Sequence, residues 1–173
     1  WLAAVRLGSH IVPSDPMATA HELAEHLRRT APAIGLRAST RTSVYDEALA
    51  ESGLDNVTTI DVDETDAEIT IASSVSGATA ARPATVAPND RAAVMFTSGT
   101  TGTPKGIMHT HFVRSMYCFL MGAAFRMTPE SVALHAGAIV FNGAFVLMMP
   151  SFWNGGRYVL MAQFDAAAMI ETI

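Results

Sequence analysis

Residues 92–96, Ala-Ala-Val-Met-Phe, form an unbroken apolar run, and the chain then passes directly into Thr97-Ser-Gly-Thr-Thr-Gly-Thr-Pro-Lys-Gly106. A short continuous apolar run reads as a strand covered on both faces. The ten residues after it hold five hydroxyls, three glycines, one proline and one lysine, so no regular element continues through them. Helical patterning resumes from about Thr110 to Met127. A strand, a glycine-rich loop and a helix in this order predict an anion site at the loop. Gly99, Gly102 and Gly106 permit close backbone approach, and successive N–H groups can converge as a nest. Thr97, Ser98, Thr100, Thr101 and Thr103 add hydroxyl donors, and the following helix brings the positive end of its dipole. Lys105 supplies a compact charge suited to phosphate oxygens. It is also the only lysine; the other ten basic residues are arginines. Composition alone also fits a flexible surface loop, but the order of strand, loop, lysine and helix favours the phosphate reading. The spacing is not that of a Walker loop, since Pro104 precedes Lys105 and Gly106 follows it, and the G-x-G-x-x-G dinucleotide pattern is absent.

The remaining sequence sets broad bounds. The 173 residues are 50% hydrophobic and 16% charged, which excludes a disordered tail. A formal charge of −5 argues against a nucleic-acid partner, which would require a basic stripe. Cys118 is the single cysteine, so no intrachain disulfide forms, and a reducing, cytoplasmic setting is the expectation. No apolar run is long enough for a transmembrane helix, and Phe112 to Met127 is interrupted by Arg114 and Arg126. The opening residues lack the ordered regions of a signal peptide. They read as the last turns of a helix ending at Gly8, which predicts that the chain is a piece of a longer protein.

Short apolar runs alternate with helical patterns, which predicts an α/β fold of layered sheets, mainly parallel strands flanked by helices. His10–Val12 reads as a short strand. Thr19 with Glu22 forms a capping box for a helix over 20–29. Strands are predicted at 33–37 and 56–61, with a helix over 44–51 capped by Ser43 between them. Later come a strand or turn within 132–140, a helix over 141–153, a strand over 157–161 and a helix begun by Asp165. Residues 1–71 form one α/β segment, 72–90 a linker or draped loop, and 91–173 the segment with the loop. Residues 46–68 hold nine carboxylates and no basic residue, which reads as a solvated face. Asp61, Asp63, Glu64, Asp66 and Glu68 invite a metal site, but the glycine of an EF-hand loop is missing, so no metal site is assigned.

Met95-Phe-Thr-Ser-Gly-Thr-Thr-Gly-Thr-Pro-Lys-Gly-Ile-Met-His-Thr-His111 resembles the signature loop of the acyl-adenylate-forming enzymes. Gly8-Ser-His-Ile-Val-Pro13, Gly155-Gly-Arg-Tyr-Val-Leu160 and Phe164-Asp165 extend the likeness over the whole chain. Thr100-Thr101 is similar to the acyl-CoA synthetase form, whereas peptide-synthetase domains more often carry Ser-Thr. The resemblance implies part of the large N-terminal domain of an acyl-CoA synthetase-like ligase. In that family a carboxylate attacks the α-phosphorus of MgATP, and a thiol, usually coenzyme A, then takes the acyl group. Thr97, Ser98, Gly99, Thr100, Thr101, Gly102, Thr103 and Lys105 are the implied phosphate contacts. ATP, Mg2+ and coenzyme A are the implied cofactors, and an apolar or fatty carboxylic acid the implied substrate.

The later Tyr-Gly-x-Thr-Glu motif, the ribose-binding aspartate, the hinge and the catalytic lysine are not in this chain, so it is expected to be inactive alone. Self-association through uncovered apolar surface is a further expectation. Phe112-Val113 replaces the family's common Arg-Asn. His111 reads as a cap of the following helix, His109 as a surface residue and His135 as a core residue. Phe141, Asn142, Gly143 and Phe145 are the candidates for an acyl pocket, although an apolar stripe at this spacing also fits ordinary core. The competing readings are an adenylation domain that loads a carrier protein, and a non-catalytic nucleotide-binding or structural module.

Overall fold

The computed structural model describes residues 1–63, 82–97, 104–161 and 163–173. The linker expected within 72–90 therefore lies partly outside the described residues, as do Glu64, Asp66 and Glu68. The elements in chain order are α1 (Leu2–Arg6), α2 (Ala20–Thr30), β1 (Ile34–Ala38), a 3-10 turn (Ser39–Arg41), α3 (Thr42–Ser52), β2 (Thr58–Val62), β3 (Arg91–Thr97), β4 (Lys105–Thr110), α4 (His111–Ala124), β5 (Val132–Ala136), α5 (Asn142–Trp153), β6 (Arg157–Met161) and α6 (Ala166–Thr172). They fall into two compact units: Met17–Arg82, and Trp1–Pro16 together with Pro83–Ile173.

In the unit Met17–Arg82, α2 starts where its capping box predicts. The Thr19 side chain accepts from the Glu22 N–H, and the Glu22 carboxylate accepts from the Thr19 N–H at 2.9 Å. The helix ends at Ala31, which takes a left-handed conformation. Ala24 and Leu27 pack on Ala48 of α3, with Leu23, Leu49 and Leu54 around them. β1 and β2 are parallel with Arg37 opposite Asp61. Arg37 Nε donates to Asp61 at 2.6 Å, and its other arm pairs with Asp46. Asp61 thus faces an arginine on the neighbouring strand. Gly35 is required here, because a Cβ would lie 1.8 Å from the Tyr45 hydroxyl. The helix expected to be capped by Ser43 begins one residue before it. The 3-10 turn runs straight into α3, so Thr42 is already helical and Ser43 lies inside the helix.

The other unit is built around β3. Ala92, Ala93, Val94 and Met95 are all buried. β4 pairs with β3 antiparallel on one edge. Ile11 bridges to Ala93 in parallel, accepting from the Val94 N–H at 2.9 Å and donating to Ala92 at 3.2 Å. The strand expected at His10–Val12 is thus a single bridge. Ala93 and Met95 meet Phe145 of α5 in a core joined by Trp1, Ile11, Tyr117, Met148 and Met149. The Trp1 and Phe145 rings meet edge to face at 5.4 Å. α5 lies between the parallel strands β5 and β6 in the chain and packs against both and against α4.

Gly156 brings the end of α5 against the turn before β5. It donates to the Ser151 carbonyl at 2.9 Å, and a Cβ there would stand 2.8 Å from the Ser131 carbonyl oxygen. A backbone oxygen cannot swing aside as a side-chain tip can. Gly156→Ala is therefore expected to cost about 1–3 kcal/mol of stability. Gly143→Ala, where a Cβ meets nothing within 4 Å, should be neutral or stabilising by up to about 1 kcal/mol. Urea denaturation of the two variants checks this; equal midpoints would contradict the close approach at Gly156.

Candidate functional site

The loop singled out by the sequence joins β3 to β4. Thr97 and Lys105 are register partners, so the two ends of the loop stand side by side on adjacent strands. Ser98, Gly99, Thr100, Thr101, Gly102 and Thr103 lie outside the described residues. Gly106 pairs with Phe96, and a Cβ on it would come 3.3 Å from the Phe96 ring and 3.2 Å from Val94. The missing side chain thus lets the Phe96 ring lie against the backbone of the neighbouring strand. Lys105 is exposed and, among the described residues, makes no ion pair.

One expectation is corrected. The sequence predicts that the loop runs into a helix, whose N-terminus would face the anion. The residues 105–110 form β4 instead, and α4 begins only at His111. Six residues of strand at about 3.3 Å each put the start of α4 roughly 20 Å from Lys105. The strands on either side of the loop form an antiparallel pair, and the N-terminus of α4 does not stand beside the loop. The physical reason is pairing: Ile107, Met108 and His109 take up the free edge of β3, which its buried neighbours leave in need of backbone partners.

Beside this hairpin lies a polar cluster that the sequence did not reveal. Arg114, in the first turns of α4, is only 2% exposed. One amino group donates to Asn142 Oδ1 at 3.0 Å and the other to Met95 Sδ at 2.6 Å. The guanidinium lies 4.3 Å from the centre of the Phe145 ring and 5.4 Å from that of Tyr117. Asn142 also donates to the Tyr117 hydroxyl at 3.1 Å. His109 is 8% exposed, with its ring edge-on to Tyr117 at 6.3 Å, and is not the surface residue expected. Neither His109 Nδ1 nor Arg114 Nε has a hydrogen-bond partner among the described residues. In the sequence Arg114 stands out only as a charge in an apolar helix, and that signal marks a buried cation as well as a solvated one.

The pocket candidates separate. Asn142 and Phe145 meet at Arg114, with Phe145 buried in the core. Phe141 and Gly143 are exposed at the start of α5, and nothing stands where a Gly143 side chain would be. His111 does not cap α4: Thr110 does, its hydroxyl accepting from the Val113 N–H at 3.3 Å. His135 is half-buried and stacks on Tyr158 at 6.2 Å.

The model of the AMP-binding enzyme family matches residues 1–173, and the chain belongs to that family of adenylate-forming ligases. It is 27% identical over 195 aligned positions to 4-coumarate–CoA ligase 1 of Oryza sativa subsp. japonica, covering all of this chain and 32% of the ligase. It is 30% identical over 165 positions to the nonribosomal peptide synthetase ivoA of Emericella nidulans, covering 95% of this chain and 9% of the synthetase. Among solved structures, ATP-bound MatB from Rhodopseudomonas palustris aligns with a TM-score of 0.82 at 25% identity, over 98% of this chain and 33% of MatB. The chain thus spans a third or less of these relatives. The mixed α/β arrangement matches the N-terminal domain of acyl-CoA synthetase-like structures. Among the described residues, no helix is long and apolar enough to cross a membrane.

Burial, and then the charge of Arg114, hold the His109 pKa below its ordinary 6.5. The folded chain therefore keeps this ring neutral at pH values where the unfolded chain protonates it. The associated stability is complete above pH 6.5 and falls as pH drops through the lowered folded value. His109→Gln, which cannot charge, is expected to lose less stability than the native chain between about pH 7.5 and about pH 5. His10 and His26, also lowered by burial, titrate equally in both proteins. Urea midpoints across that range measure the difference, and parallel curves would show that His109 is not held neutral.

Proposed function

We propose that the protein containing this chain is an ATP-dependent carboxylic acid:CoA ligase that activates an apolar acid as its adenylate. The observation that carries the reading is the glycine, hydroxyl and lysine loop, closed by the Thr97–Lys105 pair at the end of a buried strand, in a chain matched throughout by the AMP-binding model. Thr97, the residues 98–103 and Lys105 are assigned to the β- and γ-phosphates of ATP. Mg2+ and coenzyme A complete the cofactor set. Lys105 suits the role because its ammonium is exposed and makes no ion pair among the described residues. The attacking carboxylate displaces pyrophosphate, so negative charge gathers on the leaving oxygens. Fixed N–H and hydroxyl donors with one mobile cation offset that charge as it forms. Lys105 orients and stabilises; no proton transfer is assigned to it.

The alignment of this whole chain with part of a plant acid–CoA ligase supports coenzyme A as the acceptor, and so does Thr100-Thr101. The synthetase relatives favour a second reading, an adenylation domain that loads a carrier protein. The chain's share of the relatives supports a further proposal, that this piece alone does not complete the reaction.

The test uses the full-length protein. Acid-dependent ATP–pyrophosphate exchange is expected, followed by acyl-CoA formation on adding coenzyme A. Lys105→Ala should reduce exchange by roughly 10- to 150-fold, corresponding to about 1.5–3 kcal/mol for a charge-assisted hydrogen bond. Exchange with no acid in a broad panel would overturn the ligase reading. Exchange without acyl-CoA would favour the carrier-protein reading.

A further inference from the structure

β4 is tied to the rest of its unit by a single buried side chain, and that side chain is titratable. Lys105, Gly106, Ile107 and Met108 are exposed and Thr110 is half-buried; of the six residues only His109 is buried. His109 stands opposite Ala93, which lies in the core with Met95 and Phe145. Its ring meets Tyr117 of α4 at 6.3 Å, and its Nδ1 has no hydrogen-bond partner among the described residues. The charge that acts on it is Arg114, itself buried and with its Nε unpartnered in the same way. No carboxylate pairs with either group among the described residues. Of the elements packed on β4, β3 brings Arg91, and α4 brings His111, Arg114, Tyr117 and Cys118. α5, which Arg114 reaches through Asn142, has no titratable side chain. The carboxylate nearest in the chain, Asp90, is exposed and accepts the Ala87 N–H. A proton on His109 thus sets a second cation beside the first, away from water and with no anion to balance them.

We propose that His109 is a proton-operated latch: neutral, it holds β4 against β3 and α4; protonated, it frees β4 and with it the Lys105 end of the loop. The place of β4 in the sheet makes it the part that yields. Its outer edge has no strand partner among the described residues, and four of its six residues are exposed, so its bonds to β3 alone oppose release. β3 itself is buried, bridged by Ile11 on its other edge and covered by Phe145. Burial and Arg114 hold His109 below 6.5 while the latch is closed. On the released strand the ring takes up its proton at about 6.5. The closed form is therefore favoured in full above pH 6.5 and loses ground as pH falls from there to the lowered value, by at most about tenfold per pH unit. Release stands on the geometry of β4 alone; its effect on ATP rests on the phosphate reading of the loop.

Hydrogen exchange of the full-length protein, read peptide by peptide and divided by the intrinsic rate at each pH, tests the latch. Between about pH 6.5 and about pH 5 the amides of residues 105–110 are expected to lose protection by up to about tenfold per pH unit, while those of α2 and α5 keep theirs. His109→Leu and His109→Gln cannot take up the proton, so β4 protection should stay flat in both; either one suffices where the other does not fold. Arg114→Met removes the neighbouring charge and should shrink the loss. His10→Gln removes another histidine of this unit that burial holds low, and should leave the β4 slope unchanged. ATP binding should weaken over the same range in the native protein relative to His109→Leu, the titration of ATP itself being common to both. A β4 whose protection falls equally in the native protein and in the His109 variants would overturn the proposal. So would protection lost only together with that of α2 and α5, which is global unfolding. Acid release of β4 without ATP binding at any pH would uphold the latch and remove the phosphate reading of the loop.

Discussion

Everything in the larger unit hangs on the burial of β3. Four consecutive buried residues, Ala92 to Met95, leave the strand no solvent face. Such a strand is tolerable only if its backbone is paired on both edges and its side chains are covered on both sides. Ile11 pairs one edge and β4 the other. Phe145, Trp1 and Met149 cover one cluster of its side chains. The loop at its end therefore leaves from a fixed base. On the proposed reading, a loop that holds several donors against developing charge benefits from such a base, because fewer degrees of freedom are ordered on binding.

The same packing creates the one expensive feature. Met95 is held in the core by its neighbours, and its sulfur meets a guanidinium that reached the interior from α4. Arg114 is satisfied in part by Asn142 and by ring faces, with its Nε–H left unpaired among the described residues. A leucine in its place would fill the space at less electrostatic cost. The contacts show what the arginine adds: it ties β3, α4 and the start of α5 together through directional bonds that an aliphatic chain does not make.

Much of this was legible in the sequence, for local reasons. The Thr19–Glu22 box, the Asp165 cap and the unbroken run of β3 each have a mechanism that acts within a few residues, and each appears as read. The loop's composition and order gave the family as well. The failures are of another kind. β4 is not legible locally, because Lys105-Gly-Ile-Met-His-Thr110 has no alternation and starts with a lysine and a glycine; it is a strand because β3 needs an edge partner. His109 reads as a surface residue from its polarity, yet it turns inward against Tyr117. The cap of α4 falls on Thr110 and not on His111, because β4 ends at Thr110 and the helix starts at the next residue. Arg114 and Asn142 lie 28 residues apart, and nothing local to either predicts that they meet.

The order of the two units along the chain has a consequence for synthesis. Met17–Arg82 is one continuous stretch set between the two parts of the other unit. Its helices and parallel pair close over short separations, so it can complete as soon as it has left the ribosome. The first sixteen residues are in a different position. Ile11 finds its backbone partners only at residues 92–94, and Trp1 meets Phe145 later still. An indole and a bare stretch of backbone must wait through the making and folding of an entire neighbour before the strand that shelters them exists. For that interval residues 1–16 offer unpaired apolar surface, the kind that general chaperones hold.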